Sequence, residues 1–172
     1  MDVFTAIKRR RSIRKFTDQT VAKEILLKLL EAAVWSPSGG NAQTWRFVAI
    51  TDQEKLKKIE MLSPGLSRGA PAVIVIAQDL SLAKHMGGEM GSESISKMDS
   101  AMAAQNIMLA AYEMGLGTCA VASFHQNAVG KFLKFPEHIK PQLLVSVGHP
   151  AKNPSPPARK FEEVIWFEEY DG

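Results

Sequence analysis

Six basic side chains fall within eight positions near the amino end, Lys8, Arg9, Arg10, Arg11, Arg14 and Lys15, with Ser12 among them and the apolar Ile13 and Phe16 interrupting the run. Guanidinium forks beside a hydroxyl suit a phosphate monoester, because arginine donates two parallel charge-assisted hydrogen bonds to paired oxygens. On composition alone the same run also fits a solvated face or a nucleic-acid patch. The distribution of charge favours a discrete anion. Without those six of its 21 basic residues the chain carries 15 against 18 acids, so the excess behind the net charge of +3 is local. A concentrated cluster on a neutral-to-acidic body points to a specific anionic ligand more than to a diffuse polyanion.

A second constellation follows, Pro37-Ser38-Gly39-Gly40-Asn41-Ala42-Gln43-Thr44-Trp45. The glycines let backbone amides come close to a ligand, and Asn41 and Gln43 can donate and accept at the edge of a planar heterocycle. Ser-Gly-Gly-Asn is also good turn chemistry. Other reactive types offer less. His85, His125, His138 and His149 show no metal-ligand spacing, so no metal is expected, and His149 reads as part of a turn in Gly148-His149-Pro150. Cys119, the only cysteine, reads as a small buried hydrophobe that excludes an internal disulfide. Trp45 and Trp166 read as packing residues.

The elements that must hold these groups are legible in part. Asp2 caps a first helix through Val3, Phe4 and Ile7, and the basic run follows at its C-terminal end, where cations suit the helix dipole. Residues 21 to 35 read as a second helix capped by Thr20, broken by Ser36-Pro37. Arg46 to Ile50, Ala72 to Ala77, Thr118 to Ser123 and Leu143 to Val147 read as strands, with a short exposed helix at Gln53 to Leu62 and a helix around Gln126 to Leu133. Residues 79–98, rich in Gly, Ser and Met, predict a mobile excursion or a short irregular helix, with His85, Met86, Met90 and Met98 as lid candidates. Residues 99–114 predict the strongest helix, with Asp99 or Ser100 at its cap and too little polar surface to face water all round. The arm over 154–172, with Trp166 and Phe167, has no local core, and packing on a partner is the natural remedy.

At 172 residues, 45% apolar and 23% charged, the chain predicts one folded domain over 1–172 and neither disorder nor a membrane span. The first residues do not read as a signal peptide, and a cytoplasmic setting is expected.

Taken as an ordered pair, Arg10-Arg11-Ser12-Ile13-Arg14-Lys15-Phe16 and Ser36-Pro37-Ser38-Gly39-Gly40-Asn41-Ala42-Gln43 resemble the N-terminal signature of the FMN-dependent nitroreductase family. The resemblance continues through Gly69-Ala70-Pro71, Gly115-Leu116-Gly117-Thr118-Cys119, Val147-Gly148-His149-Pro150 and Arg159-Lys160-Phe161-Glu162-Glu163-Val164, and so covers nearly the whole chain. It implies an α+β fold with a central, mostly antiparallel sheet flanked by helices, and an intertwined homodimer with exchanged C-terminal arms. It implies FMN at the interface, with NADH or NADPH as electron donor and a small-molecule acceptor. Arg10 and Ser12 would hold the phosphate and ribityl end with Arg11 beside them, and Arg14 would approach the N1/O2 edge of the ring. Ser38, Gly39, Asn41 and Gln43 would come from the other subunit. Backbone groups of Ala120, Val121, Ala122 and Ser123 would line one ring edge, and Arg159 with Lys160 would complete the phosphate clamp. Nicotinamide would deliver hydride to the flavin and leave before the acceptor enters, giving ping-pong kinetics with no catalytic side chain. The acceptor could be a nitroaromatic, a quinone, an enone, a halogenated aromatic or flavin itself. The competing class, a nucleic-acid module using Lys8 to Lys15, predicts basic residues and aromatic platforms elsewhere, and the chain supplies neither.

Overall fold

Ala72–Asp79 is a run of Val, Ile and Ala that needs cover on both faces, and the fold is built around it. In the computed structural model, which describes residues 1–155 and 157–170, this run is β2, and Ala72 through Gln78 are buried. Its neighbours are β1 (Trp45–Ile50) and β4 (Ile139–Gly148), and β4 pairs in turn with β3 (Gly117–Val121). The order is β1-β2-β4-β3 and every pair is antiparallel. Continuous apolar strands usually mark parallel sheets. Here the antiparallel sheet is sandwiched between helices, which makes the same demand.

Side chains alternate across the strand. Ala72, Ile74 and Ile76 join Val145 and Val147 beneath α2 (Lys23–Val34) and α5 (Ser96–Glu113), where Leu26, Leu29, Ala103, Ala104, Ile107 and Ala111 complete the layer. Val73 and Val75 face the other way with Leu144, Cys119 and Val121, toward Leu56 and Ile59 of α3 (Gln53–Met61) and Val129 of α6 (Gln126–Phe132). Cys119 is thus the small buried hydrophobe expected of it. The first helix, α1 (Val3–Arg9), starts where Asp2 accepts the Thr5 N–H at 3.0 Å.

Several boundaries depart from the sequence reading. The second helix begins after Ala22 rather than Thr20, with no side-chain cap. The 79–98 segment takes the helical alternative, with α4 (Leu80–Met90) capped by Asp79 and joined by a π turn, Gly91–Ile95, directly to α5. Gly87 and Gly88 break α4, with Gly88 at φ 61° and ψ −154°, a conformation open essentially to glycine alone. Because α5 continues out of the π turn it has no free first turn at Asp99 or Ser100, and neither residue is its cap.

Within one chain α5 is buried along one side only. Met98 stays 61% exposed, so the all-round burial its composition asks for is not met by this chain alone. The C-terminal arm behaves likewise. Its described residues from 151 on are exposed, with one 3-10 turn at Glu162–Val164 and one aromatic pair, Trp166 with Tyr170, at 4.5 Å. The arm's Pro156, Asp171 and Gly172 lie outside the described residues.

One close approach seats the amino-terminal segment. A Cβ on Gly117 would lie 2.6 Å from Ile13 Cγ1, so β3 and the basic run touch without room for a methyl group. Gly117→Ala should therefore cost roughly 1–3 kcal/mol in chemical unfolding; an unchanged midpoint would mean that the Ile13 segment moves away freely.

Candidate functional site

The basic run leaves α1 at Arg10, the helix C-cap, whose φ of −54° and ψ of 137° turn the chain into an extended path. That path is held along one edge of the sheet. Ile13 N–H donates to Thr118 O at 2.8 Å, Ser12 forms a parallel bridge with Thr118, and Thr17 N–H donates to His149 O at 2.9 Å. The backbone of His149 thus pairs with the extended segment beside the Phe16–Pro150 bridge, where the sequence reading expected a turn. Extended residues alternate: Ile13 points inward at 5% exposure, while Ser12 and Arg14 share the exposed side.

Arg10 and Arg11 face a cavity of about 650 Å³, lined also by Arg9, Ile13, Thr118 and Asn153. Their Nε atoms are buried without a partner. Arg11 Nη1 donates to Lys8 O and Arg10 O, both at 2.6 Å, closing the end of α1. No described ion pair includes Arg10, Arg11, Arg14 or Arg159. Burial first, then the like charges of Arg11 and Arg159, push the Arg10 pKa down. Guanidinium stays charged at any ordinary pH, so three like charges are held together with orphaned donors. That arrangement is unfavourable until an anion enters, and a phosphate monoester fits the donor set.

The same edge carries Ala120 to Ser123. β3 pairs with β4 on one side only, and beyond Thr118 its other side is free; Ala120, Ala122 and Ser123 are exposed there while Val121 is buried. The turn beneath is fixed by Gly65 N–H donating to Ser123 O at 3.1 Å. Ser63, two residues earlier, has a buried hydroxyl without a partner, a feature with no local signal in the residue pattern.

Ser38, Gly39, Asn41 and Gln43 lie elsewhere. Their loop is a 3-10 turn in which Ser38 Oγ accepts from Gln43 N at 3.1 Å and Gln43 Nε2 donates to Asn41 Oδ1 at 3.1 Å. It leads into β1, the opposite edge strand, beside the Gln78 end of β2, whereas Thr118 lies level with the Ala72 end. Three strand spacings across and six residues along put the two constellations roughly 25 Å apart, at diagonal corners of the sheet. One chain brings Arg10, Ser12, Ala120 and Arg159 to one corner and the Ser-Gly-Gly-Asn loop to the other.

Behind that loop stands Asp99, only 2% exposed, its Oδ1 accepting the Gly39 N–H at 3.2 Å. Sequence reasoning took it for a helix cap, since an acid at the start of an apolar stripe signals nothing else locally. Burial lifts its carboxyl above the ordinary value of 3.8, with the Gly39 hydrogen bond pulling partly back. The folded chain thus holds this proton more tightly than the unfolded chain, so the ionised group costs stability. That cost is absent below the unfolded value, sets in as pH rises through the window up to the raised folded value, and persists at neutrality. The stability difference between Asp99→Asn and the parent should shift in the variant's favour as pH rises above the ordinary carboxylate value. A pH-independent difference in urea unfolding would contradict the burial argument.

An antiparallel sheet between helical layers, with an arginine-lined cavity on one edge and a polar, glycine-rich loop on the other, defines an α+β protein with a cavity suited to an anion. Comparison with known proteins narrows the class. The nitroreductase family model matches residues 7–66 and 63–149. A relative from Methanothermobacter thermautotrophicus, whose name couples NADH dehydrogenase with NAD(P)H nitroreductase, is 35% identical over 160 residues, 90% of this chain and 80% of its own. The FMN-dependent nitroreductase of Clostridium difficile superposes with a TM-score of 0.84 at 27% identity, covering 98% of this chain and 100% of the other. The NADPH:FMN oxidoreductase of Vibrio harveyi, in complex with NAD+, superposes with a TM-score of 0.86 at 25% identity over 98% of this chain and 78% of the other. This chain belongs to the nitroreductase family.

Proposed function

We propose that the protein is an FMN-dependent NAD(P)H oxidoreductase, a homodimer with exchanged C-terminal arms that reduces small electrophilic acceptors such as nitroaromatics or quinones. The observation that carries this reading is the pair Arg10 and Arg11, which line the cavity with buried, unpartnered Nε atoms, with the like charge of Arg159 acting on Arg10. When bound, FMN supplies the redox chemistry, accepting two electrons from a reduced nicotinamide and passing them to the acceptor.

The chain's own residues bind and orient. Arg10, Arg11, Arg159 and Lys160 grip the phosphate, the Ser12 hydroxyl meets the ribityl chain, and Arg14, on the same exposed side as Ser12, offers positive charge to the ring. A fixed cation at the N1/O2 edge favours the reduced, negatively charged cofactor. The free edge from Ala120 through Val121 and Ala122 to Ser123 offers backbone groups to the ring. The second half of the site comes from the other copy, because the diagonal separation within one chain is too great for the loop to reach the same ring. Ser38, Gly39, Asn41 and Gln43 of the partner subunit take that part. The exposed arm and the half-covered α5 supply apolar surface for such an assembly. All of 1–172 acts as one domain, and the nicotinamide supply it needs places it in the cytoplasm. Among the described residues no helix is long and apolar enough to cross a membrane, and no cluster fit for a metal ion is present. A nucleic-acid module would present its cations on an open face; Arg10 and Arg11 are half-buried in a cavity, with their Nε atoms out of reach of solvent.

Purified protein is expected to be yellow, and anaerobic NADH or NADPH should bleach it, the more effective nucleotide identifying the donor. Protein that stays colourless after reconstitution with excess FMN would overturn this function.

A further inference from the structure

The loop of Ser38 to Gln43 holds a costly backbone. Gly40, Asn41 and Gln43 have φ values of 56°, 56° and 48°, and left-handed geometry costs non-glycine residues on the order of 1–3 kcal/mol each unless the surroundings over-determine it. The hydrogen bonds inside the loop fix its shape and leave its place on the protein body open. Two anchors settle that place. At the far end, Asp79 N–H donates to Thr44 O at 2.8 Å, the Thr44 hydroxyl donates to Gln78 Oε1 at 2.5 Å, and Gln78 Nε2 donates to Ser100 Oγ at 2.8 Å. At the near end, Gly39 N–H donates to Asp99. Asp99 and Ser100 are neighbours on the buried side of α5, so one helix edge supports both ends.

For packing alone, Asp99 is a poor choice. It shares its helix side with Ala103, Ala104 and Ile107, and no described ion pair includes it. A buried carboxylate without a cation costs stability, and alanine would fill the place more cheaply. What the carboxylate adds is an acceptor for the backbone N–H that opens the loop. Ile95, one turn earlier, touches Gly39 so closely that no Cβ fits there. Behind the loop is a cavity of about 230 Å³, lined by Gly39, Ala42, Thr44, Met86, Ile95 and Asp99. Without the tether the loop has room to sink into it.

We propose that Asp99 is a positioning residue for the flavin ring: by accepting the Gly39 N–H it keeps the Ser38–Gln43 loop out of the cavity behind it and in the shape that meets the isoalloxazine. This rests on the reading of that loop as a flavin contact, and it assigns a role to a side chain that itself touches no cofactor.

Affinities of the full-length apoprotein for FMN and for riboflavin separate the possibilities. Asp99→Ala should weaken both by the same factor, about tenfold or more, because an unsatisfied buried N–H lets the ring contacts go while the phosphate clamp is intact. Asp99→Asn, which keeps an oxygen acceptor, should stay within about threefold of the parent. Should Asp99→Ala not fold, Asp99→Ser takes its place, since its hydroxyl is too short to reach Gly39. Equal affinity in parent and Asp99→Ala overturns the proposal and leaves the flavin function standing. Failure of Asp99→Asn to rescue also overturns it, as does a loss seen only as dissociation to monomers. A parent protein that binds neither flavin overturns the function itself.

Discussion

Arg10→Ala should bind FMN roughly 100-fold more weakly than the parent while binding riboflavin as well as before. The expectation comes from the cluster's electrostatics. Each hydrogen bond from a charged donor to a phosphate oxygen contributes about 1.5–3 kcal/mol, and a guanidinium facing a phosphate makes up to two. The protein without ligand should respond in the opposite sense. Arg10 is partly buried, has an orphaned Nε, and has its pKa lowered first by burial and then by the like charges of Arg11 and Arg159, so its removal relieves desolvation and repulsion together. The thermal midpoint of the apoprotein should therefore rise in Arg10→Ala and that of the FMN-loaded protein should fall, a crossing of the kind expected where a site is kept at the expense of stability. Titration of flavin fluorescence with the two ligands measures the first effect and differential scanning the second. Equal loss of FMN and riboflavin would remove the phosphate assignment from Arg10.

Removal of residues 154–172 should leave the protein monomeric at micromolar concentration, where the full chain is expected to be a dimer, and abolish FMN retention. Within its own chain the arm leaves Phe161 73%, Phe167 89% and Tyr170 73% exposed. Full burial of one such side chain contributes about 1.5–3 kcal/mol, so two arms of several aromatics each supply enough to decide a dimerisation equilibrium. Truncation also deletes Arg159 and Lys160, and the double variant Phe161→Ala/Phe167→Ala separates the two consequences. It should weaken assembly with the phosphate clamp intact, so that FMN binding recovers at high protein concentration. Mass photometry across a dilution series reads both variants. A truncated chain that remains a dimer at micromolar concentration would exclude arm exchange as the source of assembly.

The interruption of the basic run by apolar residues was readable without a structure. Ile13 and Phe16 break the basic run at spacings that turn Ser12 and Arg14 outward once the segment is extended, and Asp2 starts α1 in the standard capping geometry. The Val- and Ile-rich core strand and the helix ending at Glu113 were also legible, because each is a local pattern with one structural reading. Thr20 failed as a cap because Ala22 starts the helix, and hydroxyl preference is overridden where the chain geometry fixes the first turn. Asp99 was misread for a deeper reason. The π turn at Gly91–Ile95 carries α4 into α5 without a free amino end, and an acid then needs a partner from across the fold rather than from its own helix.

Residue type and local spacing set which groups are available: arginine forks that can hold a phosphate, glycines and an asparagine that tolerate left-handed turns, and an arm too apolar to stand alone. Where those groups lie was decided by strand order, since β1 and β3 end up as opposite edges and carry the loop and the arginines to separate corners. The burial of β2 on both faces fits parallel and antiparallel pairing alike, so its direction and neighbours come from long-range packing that no local signal encodes. The tether between Asp99 and Gly39 follows from that placement alone.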